Sequence, residues 1–271
     1  MLTADEVVVT VVAPVIGLTL ANVMFFSGVP AMLRCKREGS LGDMNPAPFP
    51  VVLANCIGWM GYAILVQDFF VFFGAAPGSV IGLFFTIVGY GLTPHGSDMR
   101  LYLEKVVSLL AVALVAVVFY VGFVARRLAR DSGNDAADAV EHERSVMGLF
   151  CNVVLVLYYS SPLTTIRTVL VEKNAKTLYA PTCAANAVNG AAWATYGFAL
   201  GDFFLVAPNA VGAALGVAQL LLIRIFPRGA KCAAGSFDLV DGAGSTASED
   251  GDSADSVSES GSEPRDVEAA A

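Results

Sequence analysis

Seven long runs of apolar residues, almost free of charge, dominate this sequence of 271 residues. Each run has at least 20 residues, enough helix to cross a hydrocarbon core of about 30 Å at about 1.5 Å per residue. Because lipid offers the backbone no hydrogen-bond partners, such segments span membranes as helices. The sequence therefore predicts an all-α membrane protein with seven transmembrane helices, over residues 7–33, 46–67, 69–93, 106–125, 146–166, 177–201 and 203–223.

The first run does not have the features of a cleaved signal sequence. Asp5 and Glu6 precede it where a signal sequence carries Lys or Arg, and the run is too long for a signal's apolar region. We therefore expect it to remain as the first transmembrane helix.

The Lys and Arg residues of the loops fall mostly on one side of the predicted membrane. Eleven occupy that side and four the other, and such an excess is typical of the cytoplasmic face. We expect an outside N-terminus and a cytoplasmic C-terminus, in the plasma membrane or alternatively in a vacuolar or other internal membrane. The four that count against this orientation, all between the fourth and fifth spans, are Arg126, Arg127, Arg130 and Arg144.

The net charge of −8 belongs almost entirely to the C-terminal segment. Residues 228–271 carry ten acidic and three basic residues and are rich in Gly and Ser. With too few apolar residues to pack, they are predicted to form a disordered, acidic, cytoplasmic tail. The rest of the chain is nearly neutral and has no basic surface for a nucleic acid.

Residues that usually hold metals or perform catalysis are few and scattered. The five cysteines show no metal-binding spacing, and both histidines fall in predicted loops. No acidic residue lies at mid-depth in any span. We therefore expect no metal or cofactor, and we do not expect an enzyme.

Part of the sequence repeats at an offset of 134 residues. The segment NCIGWMGYAILVQDFF, which begins at Asn55, is matched by NGAAWATYGFALGDFF, which begins at Asn189. Spans one to three thus correspond to spans five to seven, and the intervening span makes the two copies parallel. We expect a first repeat over 7–93, a linker helix over 101–125 and a second repeat over 146–226. The residues matched in register are Asn55/Asn189, Trp59/Trp193, Tyr62/Tyr196, Asp68/Asp202, Phe69/Phe203 and Phe70/Phe204.

The ordered set of motifs in the second repeat resembles the SWEET sugar transporters, which are related to the PQ-loop proteins. The resemblance covers about residues 10–226 and implies facilitated diffusion of mono- or disaccharides by a 3+1+3 fold that assembles as a homo-oligomer. The motifs that carry it are Ser161-Pro-Leu163, Trp193-Ala-Thr-Tyr196-Gly197, Asp202-Phe-Phe, Pro208-Asn209, Gly212 and Gly216.

A sugar has polar edges and apolar C–H faces, so its site needs aromatic rings and amides. Trp59 and Trp193, the only tryptophans, each lie nine residues before a span-ending Asp, about 13 Å along a helix and so near the midplane. We predict that they form opposing walls of one cavity. For the repeated asparagines Asn55 and Asn189 we favour a structural role, in hydrogen bonds between or along helices.

The resemblance adds an amide to this predicted pocket. It implies that Asn209, on the third helix of the second repeat, binds the sugar beside Trp193. The matching residue of the first repeat is usually Asn in the family, but here the position falls near Pro77 and Gly78. We therefore predict that Gly78 lines the pocket without contributing a side-chain hydrogen bond.

Prolines on the first and second helix of each repeat are implied to be hinges. Pro48 and Pro162 match the family positions, whereas Gly28 occupies the position in span one, with Pro30 two residues later. In span six the nearest proline is Pro181, two residues beyond the usual position. Proline removes a backbone hydrogen bond and glycine is similarly permissive, so we predict that these positions let the spans bend.

Tyr62, Tyr196, Asp68 and Asp202 lie toward the outer ends of their spans. The resemblance implies that Tyr62 pairs with Asp202 in an outer gate, and the repeat extends this to Tyr196 and Asp68. Coupled carriers usually need a carboxylate at depth, and its absence predicts a uniporter for a neutral solute.

Two other functions remain as alternatives. A PQ-loop carrier of an amino acid should present charged partners for a zwitterion inside the bundle, and none is evident. A seven-helix receptor would share the predicted orientation but would not require a three-helix repeat.

Overall fold

The computed structural model describes residues 3–131 and 136–226. The predicted acidic tail at 228–271 lies outside the described residues. Within the described ranges the chain forms no strand, and its long helices number seven, which confirms the all-α fold. They are α1 (Ala4–Glu38), α2 (Phe49–Val66), α3 (Phe69–Leu92), α4 (Asp98–Ala125), α5 (Ala136–Glu172), α6 (Ala180–Leu200) and α7 (Phe203–Ile225).

The helices agree with the predicted spans in number and order but differ in length. All except α6 are long and apolar enough to cross a membrane on length and composition alone. The 21 residues of α6 include Asn, Thr and several Gly and Ala residues where the other helices carry larger aliphatic side chains. α1 and α5 extend beyond the predicted spans at both ends, because helical turns with charged residues continue past the apolar run.

The order of packing places the third helix of each repeat between the other two. α3 contacts both α1 and α2, and α7 contacts both α5 and α6. The repeats then meet where α2 packs on α5 and α1 packs on α6. Six helices thus close a ring around a central space, as two parallel repeats joined by α4 in a 3+1+3 arrangement.

The linker helix α4 lies outside this ring and packs on α2 and α5. Its outer face carries aliphatic side chains, and Leu109, Val112 and Val115 are each 68% exposed. A water-soluble protein does not present such a continuous apolar surface, so this face is suited to contact lipid.

Two-residue turns connect the second and third helices of each repeat. Gln67 and Gly201 end their helices in the left-handed conformation, with φ of 56° and 65°. Asp68 and Asp202 follow as N-caps, and each carboxylate accepts the backbone N–H three residues later. The same turn therefore begins α3 and α7.

Close approach of α6 and α7 depends on small residues. A Cβ atom added at Gly190 would lie 2.6 Å from the backbone of Asn209 and Ala213, and one added at Gly216 would lie 2.7 Å from the backbone nitrogen of Ala187. Glycine at these positions lets the two backbones touch, which is a common device of membrane helices.

The predicted hinge residues occupy different positions along their helices. Pro162 lies inside α5, and Gly28 separates the two segments of α1 just before Pro30. Pro48 is instead the N-cap of α2, and Pro181 lies in the first turn of α6. At a helix start the missing N–H leaves no carbonyl unpaired, so Pro48 and Pro181 do not interrupt the hydrogen bonds of their helices, and their role as hinges stays a prediction.

Proline inside α7 frees a carbonyl that a neighbouring helix satisfies. Pro208 has no N–H to donate to the carbonyl oxygen of Phe204. Asn152 of α5 donates to that oxygen from Nδ2 at 3.1 Å, and the same Nδ2 lies 2.8 Å from the carbonyl oxygen of Gly148 on its own helix.

In the first repeat an asparagine also donates to the carbonyl that a proline leaves unpaired, but at a different position along the helices. Pro77 inside α3 frees the carbonyl of Phe73, and Asn22 of α1 donates to it at 3.3 Å. At the offset of 134 residues, the counterpart of Pro208 is Gly74 and that of Asn152 is Leu18. Both the proline of α3 and the asparagine of α1 therefore lie further along their helices than their counterparts in the second repeat do.

We expect Asn152→Leu to lower the free energy of unfolding by about 1–3 kcal/mol, because it leaves the Phe204 carbonyl buried and unpaired. The measurement is the thermal transition of the purified protein in detergent. In a Pro208→Ala background the helix regains its own N–H donor, so the same substitution should cost much less there. An equal cost in both backgrounds would show that Asn152 stabilises the fold in another way.

Candidate functional site

A cavity of about 480 Å³ occupies the centre of the six-helix ring. Its volume lies in the range of about 300–1,000 Å³ that is typical of small-molecule sites. Every helix of the two repeats contributes to its lining, and α4 contributes no residue. The cavity reaches the surface beside Lys176 and Tyr179, where the Lys176 side chain is 57% exposed. We call this the cavity mouth, and we call the opposite end of the bundle, with Asp68 and Asp202, the aspartate end.

Trp59 and Trp193 line the deep part of the cavity. Both are nearly buried, at 8% and 7% exposure. The indole of Trp193 reaches across to the first repeat, where it lies against Gly17 and Gly74. A Cβ atom at either glycine would come within 2.8 Å of the ring. These two glycines therefore create the space in which the Trp193 ring fits.

The surroundings of the two tryptophans are not equivalent. At the repeat offset, the counterparts of Gly17 and Gly74 are Cys151 and Pro208, so the second repeat offers no matching pair of glycines to Trp59. The two rings thus contribute different shapes to one cavity.

Several amide groups border the cavity with part of their hydrogen-bonding capacity unused. Asn55 and Asn189 each bury an Oδ1 atom that has no hydrogen-bond partner among the described residues, and so does the Thr182 hydroxyl. The sequence favoured hydrogen bonds between or along helices for these two asparagines, but their Oδ1 atoms make none with the described residues. Asn209 also lines the cavity, and its Nδ2 donates to the carbonyl oxygen of Leu205 at 2.8 Å. Its Oδ1 takes no part in this hydrogen bond.

Gly78 does not line the cavity, so its assignment to the pocket is wrong. A Cβ atom there would lie 2.5 Å from the Phe25 ring and 2.7 Å from the Cys56 sulfur, so Gly78 faces packed side chains. The counterpart of Asn209 at the repeat offset is Ala75, which does line the cavity. The wrong assignment comes from matching Pro77 with Pro208. That match places the counterpart of Asn209 at Gly78, almost one helical turn beyond Ala75.

Two tyrosine–aspartate pairs cross between the repeats at the aspartate end. The Tyr62 hydroxyl donates to Oδ2 of Asp202 at 2.6 Å, and the Tyr196 hydroxyl donates to Oδ2 of Asp68 at 2.9 Å. Tyr62 is fully buried. Both pairs lie next to the tryptophans, since the ring centroids of Trp59 and Tyr62 are 5.4 Å apart and those of Trp193 and Tyr196 are 6.2 Å apart. The family resemblance implied that Tyr62 pairs with Asp202, and the structure brings these two side chains together.

Arg144 belongs to the same cluster, although the sequence marked it only as a loop charge. Its Nη2 lies 3.2 Å from Oδ1 of Asp202, and its Nε donates to the Tyr62 hydroxyl at 3.1 Å. Its Nη1 also pairs with Glu141 at 3.2 Å. The sequence placed Arg144 and Asp202 at the same predicted membrane face. That placement alone does not predict a contact between them.

Comparison with known families gives this geometry its context. A family model described as "Sugar efflux transporter for intercellular exchange" matches residues 11–95 and 145–231, more than half of the chain. The chain belongs to this family, the SWEET transporters. The two matched segments contain both tryptophans, both tyrosine–aspartate pairs and Asn209. Proteins of the SWEET family transport sugars and are not enzymes.

Individual SWEET relatives are similar over most of their length. The "Sugar transporter SWEET1" of Drosophila pseudoobscura pseudoobscura is 27% identical over 203 residues, which cover 75% of this chain and 83% of the relative. The "Bidirectional sugar transporter SWEET4" of Oryza sativa subsp. indica is 28% identical over 221 residues, which cover 78% of each. A solved eukaryotic SWEET transporter superposes with a TM-score of 0.68 at 20% identity, over 82% of this chain and 99% of that one. That superposition supports the SWEET fold.

A matched pair of substitutions tests which residue of α3 lines the cavity. We expect Ala75→Asn to fold normally, because the cavity has room beside Ala75. Gly78→Asn should destabilise the protein by about 1–3 kcal/mol, because its side chain would displace Phe25 and Cys56. Thermal unfolding in detergent measures both. Equal stability of the two variants would contradict the packing described for Gly78.

Proposed function

We propose that this SWEET protein moves mono- or disaccharides passively across a membrane by alternating access. The observation that carries this proposal is the composition of the central cavity. Two tryptophan rings and several amide or hydroxyl groups with unused acceptors line it, and among its described lining residues only Lys176, at the mouth, is charged. This combination suits a neutral ligand with many hydroxyl groups.

Each part of the lining has a counterpart in the chemistry of a sugar. The faces of Trp59 and Trp193 can cover the apolar C–H faces of a pyranose or furanose ring. Sugar hydroxyls can donate to the buried Oδ1 atoms of Asn55 and Asn189, which have no hydrogen-bond partner among the described residues. Asn209 can exchange hydrogen bonds with a third edge of the ring. Acceptors that no other described residue pairs favour a ligand that donates to them.

The distribution of charge supports passive transport of a neutral solute. Ion-coupled carriers place a carboxylate where it can meet both the ion and the substrate. Asp68 and Asp202 lie instead at the aspartate end, where they cap helices and accept hydrogen bonds from tyrosines. A zwitterionic amino acid would need charged partners, so the same lining disfavours the PQ-loop amino-acid alternative.

Alternating access needs a state in which one end of the cavity is closed and the other is open. The arrangement of the two ends of this bundle fits such a state. The two tyrosine–aspartate pairs close the aspartate end, and the cavity opens at the mouth beside Lys176. With the orientation expected from the loop charges, this is an inward-open state with its outer gate shut. Opening of the gate would separate α2 from α7 and α6 from α3, with Pro162 and the Gly28–Pro30 segment as candidate hinges. We also expect assembly as a homo-oligomer in the lipid, as the family resemblance implies.

Uptake by the purified protein in liposomes tests the transport proposal. Labelled glucose, fructose and sucrose are supplied outside, and at least one should enter until the concentrations are equal on both sides. Proton and sodium gradients should leave the final level unchanged, because no carboxylate couples them to the sugar. Accumulation above equilibrium would contradict passive transport, and absence of uptake of any sugar would contradict the substrate class.

Substitution of the tryptophans tests the pocket. We expect Trp193→Ala to abolish sugar uptake and Trp59→Ala to reduce it strongly, because each removes one aromatic wall. Trp193→Phe keeps a ring against Gly17 and Gly74 and should retain part of the activity. Binding affinity, measured by the effect of sugar on thermal unfolding, separates loss of the site from loss of the fold. Normal uptake by a folded Trp193→Ala variant would place the pocket elsewhere.

A further inference from the structure

The two tyrosine–aspartate pairs at the aspartate end differ in their charge. Tyr62–Asp202 includes the guanidinium of Arg144, whereas Tyr196–Asp68 has no basic side chain within ion-pair distance among the described residues. The counterpart of Arg144 at the repeat offset is Thr10, whose hydroxyl donates to a carbonyl of its own helix. The approximate symmetry of the repeats is therefore broken at the point where they close.

The positions of the three side chains show which contacts an opening motion would break. Arg144 and Asp202 belong to α5 and α7 of the second repeat, and Tyr62 belongs to α2 of the first. The hydroxyl of Tyr62 donates to Asp202 and accepts from Arg144, at 2.6 and 3.1 Å. Two hydrogen bonds to charged groups thus join the repeats here. The other pair has a single one, from Tyr196 to Asp68.

Burial explains why an arginine is needed at this pair. Asp202 is 5% exposed, and a carboxylate removed from water is costly unless a cation and hydrogen bonds compensate it. Arg144 presents a planar fork, of which Nη2 faces Asp202 and Nε faces Tyr62. Glu141, one turn earlier on α5, holds the remaining Nη1. The guanidinium thus contacts Asp202, Tyr62 and Glu141 through three different nitrogen atoms.

We propose that Arg144 is a positioning residue of the gate, which holds Asp202 in place and makes the Tyr62–Asp202 pair the stronger of the two closures at the aspartate end. This proposal rests on the proposed transport function, since it concerns the equilibrium between the open and closed states of that end. Without Arg144 the closed state loses one of its two charge-assisted bonds at this pair, and Asp202 loses its cation. The open state then becomes more populated.

Spin labels can measure this equilibrium without any transport assay. Phe69 and Phe203 are the first residues of α3 and α7, are related by the repeat and are 66% and 75% exposed. Labels at these two positions, in a background whose five cysteines are replaced, report the width of the aspartate end. Pulsed EPR gives the populations of the short and long distances.

We expect Arg144→Gln to raise the ratio of open to closed molecules roughly tenfold, the size expected for loss of one charge-assisted hydrogen bond. Arg144→Lys keeps the charge without the fork and should give an intermediate ratio. Arg127→Gln is the matched control, because it removes an exposed positive charge on the same side of the membrane and should leave the distances unchanged.

A second background isolates the contact from general destabilisation. In Tyr62→Phe the hydroxyl that receives both bonds is absent, so Arg144→Gln should change the ratio little further. A shift in the Tyr62→Phe background as large as the one in the unaltered protein would overturn the proposal. So would a shift in the unaltered protein no larger than that of Arg127→Gln. Sugar uptake is measured separately on the same variants. If the protein with native gate residues moves no sugar while the distances still respond to Arg144, the transport proposal fails and the role of Arg144 stands.

Discussion

The carboxylates of Asp68 and Asp202 each use their two oxygen atoms for different purposes. One oxygen accepts the backbone N–H that begins the third helix of its own repeat, and the other accepts a tyrosine hydroxyl from the opposite repeat. The cap bond comes from the carboxylate's own repeat and the tyrosine bond from the other repeat. The start of α3 and α7 and the closure of the bundle therefore depend on the same two side chains.

The two repeats agree at their closing pairs and differ around them. The prolines inside α3 and α7 lie at different registers, and the asparagines that satisfy the freed carbonyls have shifted with them. Glycines accommodate the ring of Trp193 but have no counterparts around Trp59. Arg144 contacts only one of the two tyrosine–aspartate pairs among the described residues. A cavity built this way is two-fold in its architecture but has two dissimilar walls.

Much of this arrangement could be predicted from particular residues. Apolar runs indicated all seven helices. The family resemblance implied the pairing of Tyr62 with Asp202, and the repeat extended it to Tyr196 and Asp68. The position of Gly78 was predicted incorrectly, because an adjacent proline suggested an alignment that the helix does not follow. The sequence also did not predict that the Oδ1 atoms of Asn55 and Asn189 border a cavity without a partner among the described residues. A polar residue in an apolar span gives the same pattern whether it bonds a neighbouring helix or borders a cavity.

By itself the sequence determined the number of helices, their order and the parallel arrangement of the repeats, because a backbone in lipid must be helical and because repeated segments must fold alike. Only the tertiary structure decided which faces meet. Helices that are apolar on all sides carry little periodic signal to specify their rotation about the long axis. That rotation directs Ala75 into the cavity and Gly78 away from it, and it brings Arg144 of α5 into contact with a carboxylate 58 residues later in the chain.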